Sequence, residues 1–215
     1  PDTCENRLVF NDGSGLNALS LETGMRTACG AITGAPANGP LPHIVMSTAP
    51  LEVIAFLPDR ISLLGLQPAA QEECEGGQTL TPIWSTERLG LVQAIGSSVI
   101  DRRGHLGPEL LTSIRSDEGI WSVVAIELTT GSSLPLVSDA LLEGMISLES
   151  NSPRLLVRIA PETEPRGFGP LQLFGWNEQG IERLWENPPS GALPVRGRLQ
   201  QTDRTTEFAP LLTVE

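Results

Sequence analysis

Residues Ser122–Ser138 read SVVAIELTTGSSLPLVS. Val124, Ile126 and Leu128 alternate with Ala125, Glu127 and Thr129. Period-two alternation with β-branched residues marks a half-buried strand. Gly131 follows a threonine and accepts the positive φ that a tight hairpin turn requires. Leu134–Ser138 then returns as a second apolar strand. The stretch is a strand, a Thr-Gly turn and a strand.

The phrase recurs. In Leu16–Gly30, Leu19 and Leu21 precede Gly24 as Ile126 and Leu128 precede Gly131, and Cys29 follows Gly24 as Leu136 follows Gly131. In Leu171–Glu186, Leu173 precedes Gly180 at the offset of Val124, and Trp185 lies five residues beyond the glycine. A looser copy starts at Ile61–Leu66, passes a polar insert that ends at Gly77, and returns through Pro82-Ile83-Trp84. Gly24, Gly77, Gly131 and Gly180 recur at intervals of 53, 54 and 49 residues. That period suits a repeat architecture. Each copy has an upstream strand: Leu8–Phe10, Val53–Leu57, Leu110–Ile114 and Leu155–Ile159. Short turn-forming residues follow each of them: Asn11-Asp12-Gly13, Pro58-Asp59, Ser116–Gly119 and Pro161-Glu162.

Thr23-Gly24, Thr130-Gly131, Gly180…Trp185 and Gly77…Trp84 resemble the repeat of quinoprotein-like β-propellers and, more distantly, of WD40 proteins. The resemblance spans most of the chain but lacks the Trp-Asp dipeptide and the Gly-His signature. It implies a single all-β domain over residues 1–215, a small β-propeller of about four repeated antiparallel blades. The N-terminal strands and two final strands, Val195–Gln201 and Phe208–Val214, would close the ring and remove exposed edges. The alternative is a β-sandwich with evenly spaced hairpins. By fold analogy, the work is that of a non-catalytic protein-binding scaffold or structural subunit of a larger complex, with another protein as partner. The alternatives are an exported hydrolase using loops on one propeller face and a carbohydrate-binding module.

Composition narrows the chemistry. The 215 residues are 40% apolar, with 22 glycines and 18 prolines, which suits a turn-rich fold. Net charge is −12, the reverse of a nucleic-acid footprint. All 14 basic residues are arginine, and there is no tyrosine. Walker-loop and Schiff-base lysines and a tyrosine acid or base are therefore excluded. Two histidines and no Cys-x-x-Cys argue for no metal, and no cofactor motif is present. No stretch is long and apolar enough to span a membrane as a helix.

Candidate site residues are few. Arg102, Arg103 and His105 form the densest polar cluster, suited to an anion or a partner carboxylate, or to a solvated turn. Trp121 and Trp176 suit a sugar- or peptide-binding face, or packing between blades; Trp84 and Trp185 read as core. Cys4 and Cys29 flank one hairpin unit and are expected to pair if the protein is exported, whereas Cys74 lies among glutamates that disfavour its thiolate. A chain that begins at Pro1 reads as processed or excised, with periplasmic or extracellular residence expected and cytoplasmic residence as the alternative. No catalytic residue is assigned: Gly-x-Ser-x-Gly is absent, Asn11–Gly15 lacks the distal acidic ligand of a calcium loop, and Glu162/Glu164 and Glu72/Glu73 read as surface pairs. Gly96 is expected to allow tight packing in an innermost strand. Leu141, Leu142 and Met145, with Asp139 as cap and Gly144 against a long helix, predict a short helix or turn before a strand over Met145–Leu148.

Overall fold

The computed structural model describes residues 6–32, 34, 41–69, 77–87, 90–101, 107–146, 153–159, 169–177, 179–187, 197–200 and 211–214. Among them every regular element is a β-strand, so the chain is all-β. It divides into two compact units, Pro1–Val92 and Gln93–Glu215.

The first unit holds two up-and-down meanders. Strands β1 (Arg7–Asn11), β2 (Gly15–Ser20) and β3 (Arg26–Ala31) make the first. Strands β4 (His43–Thr48), β5 (Leu51–Phe56), β6 (Ile61–Pro68) and β7 (Gln78–Ser85) make the second. Their last strands touch in parallel at Cys29 and Thr79, joining both into one seven-stranded sheet in the order β1-β2-β3-β7-β6-β5-β4. The approach is close: a side chain at Gly30 would meet the backbone and Cβ of Leu80.

The second unit repeats the plan. Strands β8 (Leu91–Asp101), β9 (Pro108–Arg115), β10 (Trp121–Glu127) and β11 (Ser133–Ser138) form the third meander. Strands β12 (Ala140–Ile146), β13 (Arg154–Ile159), β14 (Leu171–Asn177) and β15 (Gly180–Asn187) form the fourth. Strands β16 (Gly197–Gln200) and β17 (Leu211–Val214) pair with each other in a separate two-stranded sheet. The expected closing pairing with the N-terminal strands is not among the described ladders: β1 is an edge strand.

Two local devices recur in all four meanders. The turn glycines Gly24, Gly77, Gly131 and Gly180 have φ of 69°, 65°, 76° and 123°, a region that residues with a Cβ rarely enter. In two turns the glycine amide donates four residues back, Gly24 to the Ser20 carbonyl (2.9 Å) and Gly131 to the Glu127 carbonyl (2.8 Å). The second device is a β-bulge in each final hairpin. Thr27, Ile83, Leu136 and Leu184 are the extra residues that the facing strand leaves unmatched. A bulge bends its strand and re-aims the side chains beside it.

The bulge gives a common register. Ala18, Leu63, Val123 and Leu173 stand at one equivalent position of the strand before the last. The sequence alignment on glycines places Leu173 against Val124, one residue off, because the Gly131 turn is longer than the Gly180 turn.

With that register the packing follows one rule. In each unit, the face of the earlier meander that carries this position packs on the opposite face of the later meander. In the first unit Val9, Leu16, Ala18 and Ala28 meet Val53, Ala55, Leu64 and Leu80. In the second, Leu111, Val123 and Ala125 meet Leu142, Leu155, Val157 and Trp176. Each fully buried leucine contributes roughly 1.5–3 kcal/mol. The remaining central faces are also buried: Ile54, Phe56 and Ile61 in the second meander, Leu110, Val124 and Ile126 in the third.

Buried polar groups are tied down, as burial demands. Thr112 Oγ1 and Ser97 Oγ hydrogen-bond to each other at 2.7 Å, and each lies 3.2 Å from the Gln93 carbonyl, which accepts from the hydroxyl whose proton is free. The Leu142 amide donates to Ser113 Oγ (2.8 Å), linking the third meander to the fourth. Gly96 sits at that junction with φ 79°, and a side chain there would overlap the Leu142 carbonyl oxygen. This is the close packing expected at Gly96.

The helix predicted after Asp139 is not present: Ala140–Ile146 is strand β12. Its register shifts between Leu142 and Gly144, leaving Glu143 as a bulge. The bulge turns Leu142 and Met145 to the same core, although they are three residues apart. Three-residue apolar spacing imitates a helical face when a bulge intervenes. Arg158 fixes the bulge, its Nε donating to Glu143 Oε1 (2.6 Å) and its Nη1 to the Gly169 carbonyl (3.1 Å).

Candidate functional site

The second and fourth meanders share a surface feature that the other two lack. Two residues after the equivalent position stand Gly65 and Gly175. With no side chain at either place, the neighbouring bulge residue leans inward over the glycine. A Cβ at Gly65 would lie 2.8 Å from Ile83 Cδ1, and one at Gly175 would lie 3.3 Å from Leu184 Cδ1. The next residue is a tryptophan each time. Trp84 pairs with Leu63 and Trp185 with Leu173, so bulge residue and indole share one face.

The result is an apolar shelf on the last strand of each meander, Ile83/Trp84 on β7 and Leu184/Trp185 on β15. Ile83 is 54% exposed, Leu184 45% and Trp185 39%; Trp84 is half-buried. Inward from the shelves the same faces are buried, through Leu63, Ile54 and Phe56 in one meander and Leu156 and Leu171 in the other. A solvent-exposed apolar patch continuous with buried surface is what interaction sites look like.

The strand on the far side of each glycine supplies a charge. Glu52 on β5 pairs with Gly65, and Arg154 on β13 pairs with Gly175. The Arg154 guanidinium reaches over the glycine, with Nη1 2.9 Å from where a Cβ would be. On the near side, Thr81 faces Gly65 and Glu182 faces Gly175.

The residues singled out in the sequence distribute differently. Trp121 and Trp176 are 6% and 2% exposed, and Trp176 belongs to the second unit's core. Their rings pack inside the fold. Trp185, expected in the core, is exposed instead, because aromatic size says nothing about which outer strand a neighbour covers. Arg102, Arg103, His105, Cys4 and Cys74 lie outside the described residues. Cys29 is disulfide-bonded. The Asn11–Gly15 stretch forms a hairpin turn in which the Asp12 carboxylate accepts bonds from the Ser14 hydroxyl (2.6 Å) and amide (2.9 Å). Those bonds, with Arg26 at 3.4 Å, lower the Asp12 pKa.

The shelves were legible in the sequence had Leu63-Leu64-Gly65…Ile83-Trp84 been set beside Leu173-Phe174-Gly175…Leu184-Trp185. Among the described residues there is no group of three or more potential metal ligands. No helix among them is long and apolar enough to cross a membrane. No family model matches the chain, and no curated protein matches it.

Proposed function

We propose that the chain is a non-catalytic scaffold, or structural subunit of a larger complex, that binds another protein through its two shelves. The carrying observation is their duplication: the same glycine, bulge and tryptophan leave the same exposed apolar pair on two outer strands. Large apolar side chains held out by a rigid sheet are typical anchors of protein interfaces.

We further propose that the meanders are blades of a small β-propeller. Each unit stacks one pair of meanders face to opposite face, as neighbouring propeller blades do. Four bulged hairpins in one register and the burial of both faces of the central strands support it. The disulfide at Cys29 supports residence outside the cytoplasm, in the periplasm or beyond the cell.

The binding reading is tested by capture from the native source with the wild-type chain and with an Ile83→Ser/Trp185→Ser variant. A partner retained by the first and lost by the second, with unfolding midpoints unchanged, supports it. Equal capture by both, or hydrolytic turnover by the purified monomer, contradicts it.

A further inference from the structure

We propose that Cys29 is joined to Cys74, not to Cys4, so that a disulfide fastens the polar insert between β6 and β7 to the last strand of the first meander. The bond is a redox-sensitive clasp within the first unit, independent of the shelves. Cys29 is disulfide-bonded. The chain has two other cysteines, Cys4 and Cys74, both outside the described residues. The strand register on either side of Cys29 chooses between them.

On β3, Cys29 stands level with Asn17 on β2, which stands level with Phe10 on β1. Asn6, whose carbonyl accepts from the Leu21 amide, continues that ladder to four residues before Phe10. At about 3.3 Å per residue and about 4.8 Å between strands, Asn6 lies roughly 16 Å from Cys29. The two residues from Asn6 to Cys4 span at most about 7 Å, and bridged cysteines have Cα atoms at most about 7 Å apart. Together these fall short. On the other side, Thr79 on β7 pairs directly with Cys29. The Ala69 amide donates to the Gly77 carbonyl (3.0 Å), so the β6–β7 ladder holds as far as Gly77. Gly77 is then roughly 8 Å from Cys29. Three residues, spanning up to about 10 Å, lead from it back to Cys74. Ala28 and Leu80 belong to the first unit's core. Cys29 and Thr79, one residue away on each strand, therefore point to the opposite face. The bond lies there, beside the one described pairing between the two meanders.

Formation takes one proton from each thiol and two electrons in all, passed by thiol–disulfide exchange to a small-molecule disulfide that leaves as two thiols. The reverse exchange opens the clasp. The two cysteines are 45 positions apart, so opening frees a long stretch of the unfolded chain and favours unfolding. With Cys74 engaged, Cys4 is left as a thiol.

The test uses the full purified chain, oxidised in a buffer of glutathione and glutathione disulfide. It is unfolded without reductant, alkylated with N-ethylmaleimide and cut with trypsin. Cleavage after Arg7, Arg26, Arg60 and Arg88 puts the three cysteines on separate peptides, 1–7, 27–60 and 61–88. Peptide 27–60 joined to 61–88, with the alkyl group on 1–7, is the expected result. Peptide 27–60 joined to 1–7, or alkylation of all three, overturns the proposal. Stability gives a second reading. Dithiothreitol or Cys74→Ser is expected to lower the urea midpoint by roughly 1 M, whereas Cys4→Ser matches wild type. A Cys74→Ser midpoint no lower than that of Cys4→Ser overturns the proposal. Should Cys74→Ser fail to fold, the peptide map of the wild type decides alone.

Discussion

The bulged last strands of the first and third meanders carry Thr27-Ala28 and Leu136-Val137; those of the second and fourth carry Ile83-Trp84 and Leu184-Trp185. The backbone device is the same in all four. In the first and third, the following meander of the same unit covers this face, and Ala28, Leu136 and Val137 pack into the shared cores. In the second and fourth, Ile83, Leu184 and Trp185 are exposed and Trp84 is half-buried, and the residues there are larger. Size follows cover: modest side chains fit beneath a neighbour, whereas an indole beside a bulge has no room there. What looks in sequence like four variations of one core position is two covered seats and two open shelves.

Substitutions break or sharpen this contrast. The largest effect is expected at Gly96→Val, between the third and fourth meanders. The positive φ and the overlap with the Leu142 carbonyl together cost at least about 3 kcal/mol in urea unfolding. Next is Val137→Trp, which gives the third meander the tryptophan of the open shelves. Beneath a covering meander it is expected to cost about 1–3 kcal/mol by overpacking. The reverse change, Trp185→Val, is expected to alter stability by no more than about 0.5 kcal/mol while reducing partner capture. A covered Trp185 would reverse that order.

The smallest effect concerns the first hairpin. Hydrogen bonds from the Ser14 hydroxyl and amide, with Arg26 nearby, hold the Asp12 carboxyl below its ordinary pKa. A depressed folded pKa means a contribution present above the unfolded value and lost as pH falls through the folded one. Ser14→Ala removes the largest cause, so the variant's loss of urea midpoint between about pH 6 and pH 3 is expected to be slightly smaller than wild type's. The carboxylate is at the surface, and screening keeps the difference small.

Strand identity and repeat length were legible because they are written in local signals. Alternating leucines and valines bounded by Gly24, Gly131 and Gly180 declare hairpins whatever surrounds them. The four upstream strands fall on β1, β5, β9 and β13. The final pair over 195–214 appears as β16 and β17, although the two pair with each other. What failed depended on neighbours. The Glu143 bulge converted a strand into helical spacing at Leu142 and Met145. The shelves escaped notice because cover is a tertiary property: Trp176 and Trp185 are nine residues apart, and only the sheet assigns one to the core and the other to solvent.

Hydroxyl-radical footprinting of the free chain, read at each tryptophan, tests the contrast of covered seat and open shelf most directly. Trp185 is expected to oxidise fastest and Trp84 at an intermediate rate, with Trp121 and Trp176 protected. Protection of Trp185 equal to that of Trp176 would mean that the fourth meander's outer strand is covered, and the open shelf would not exist.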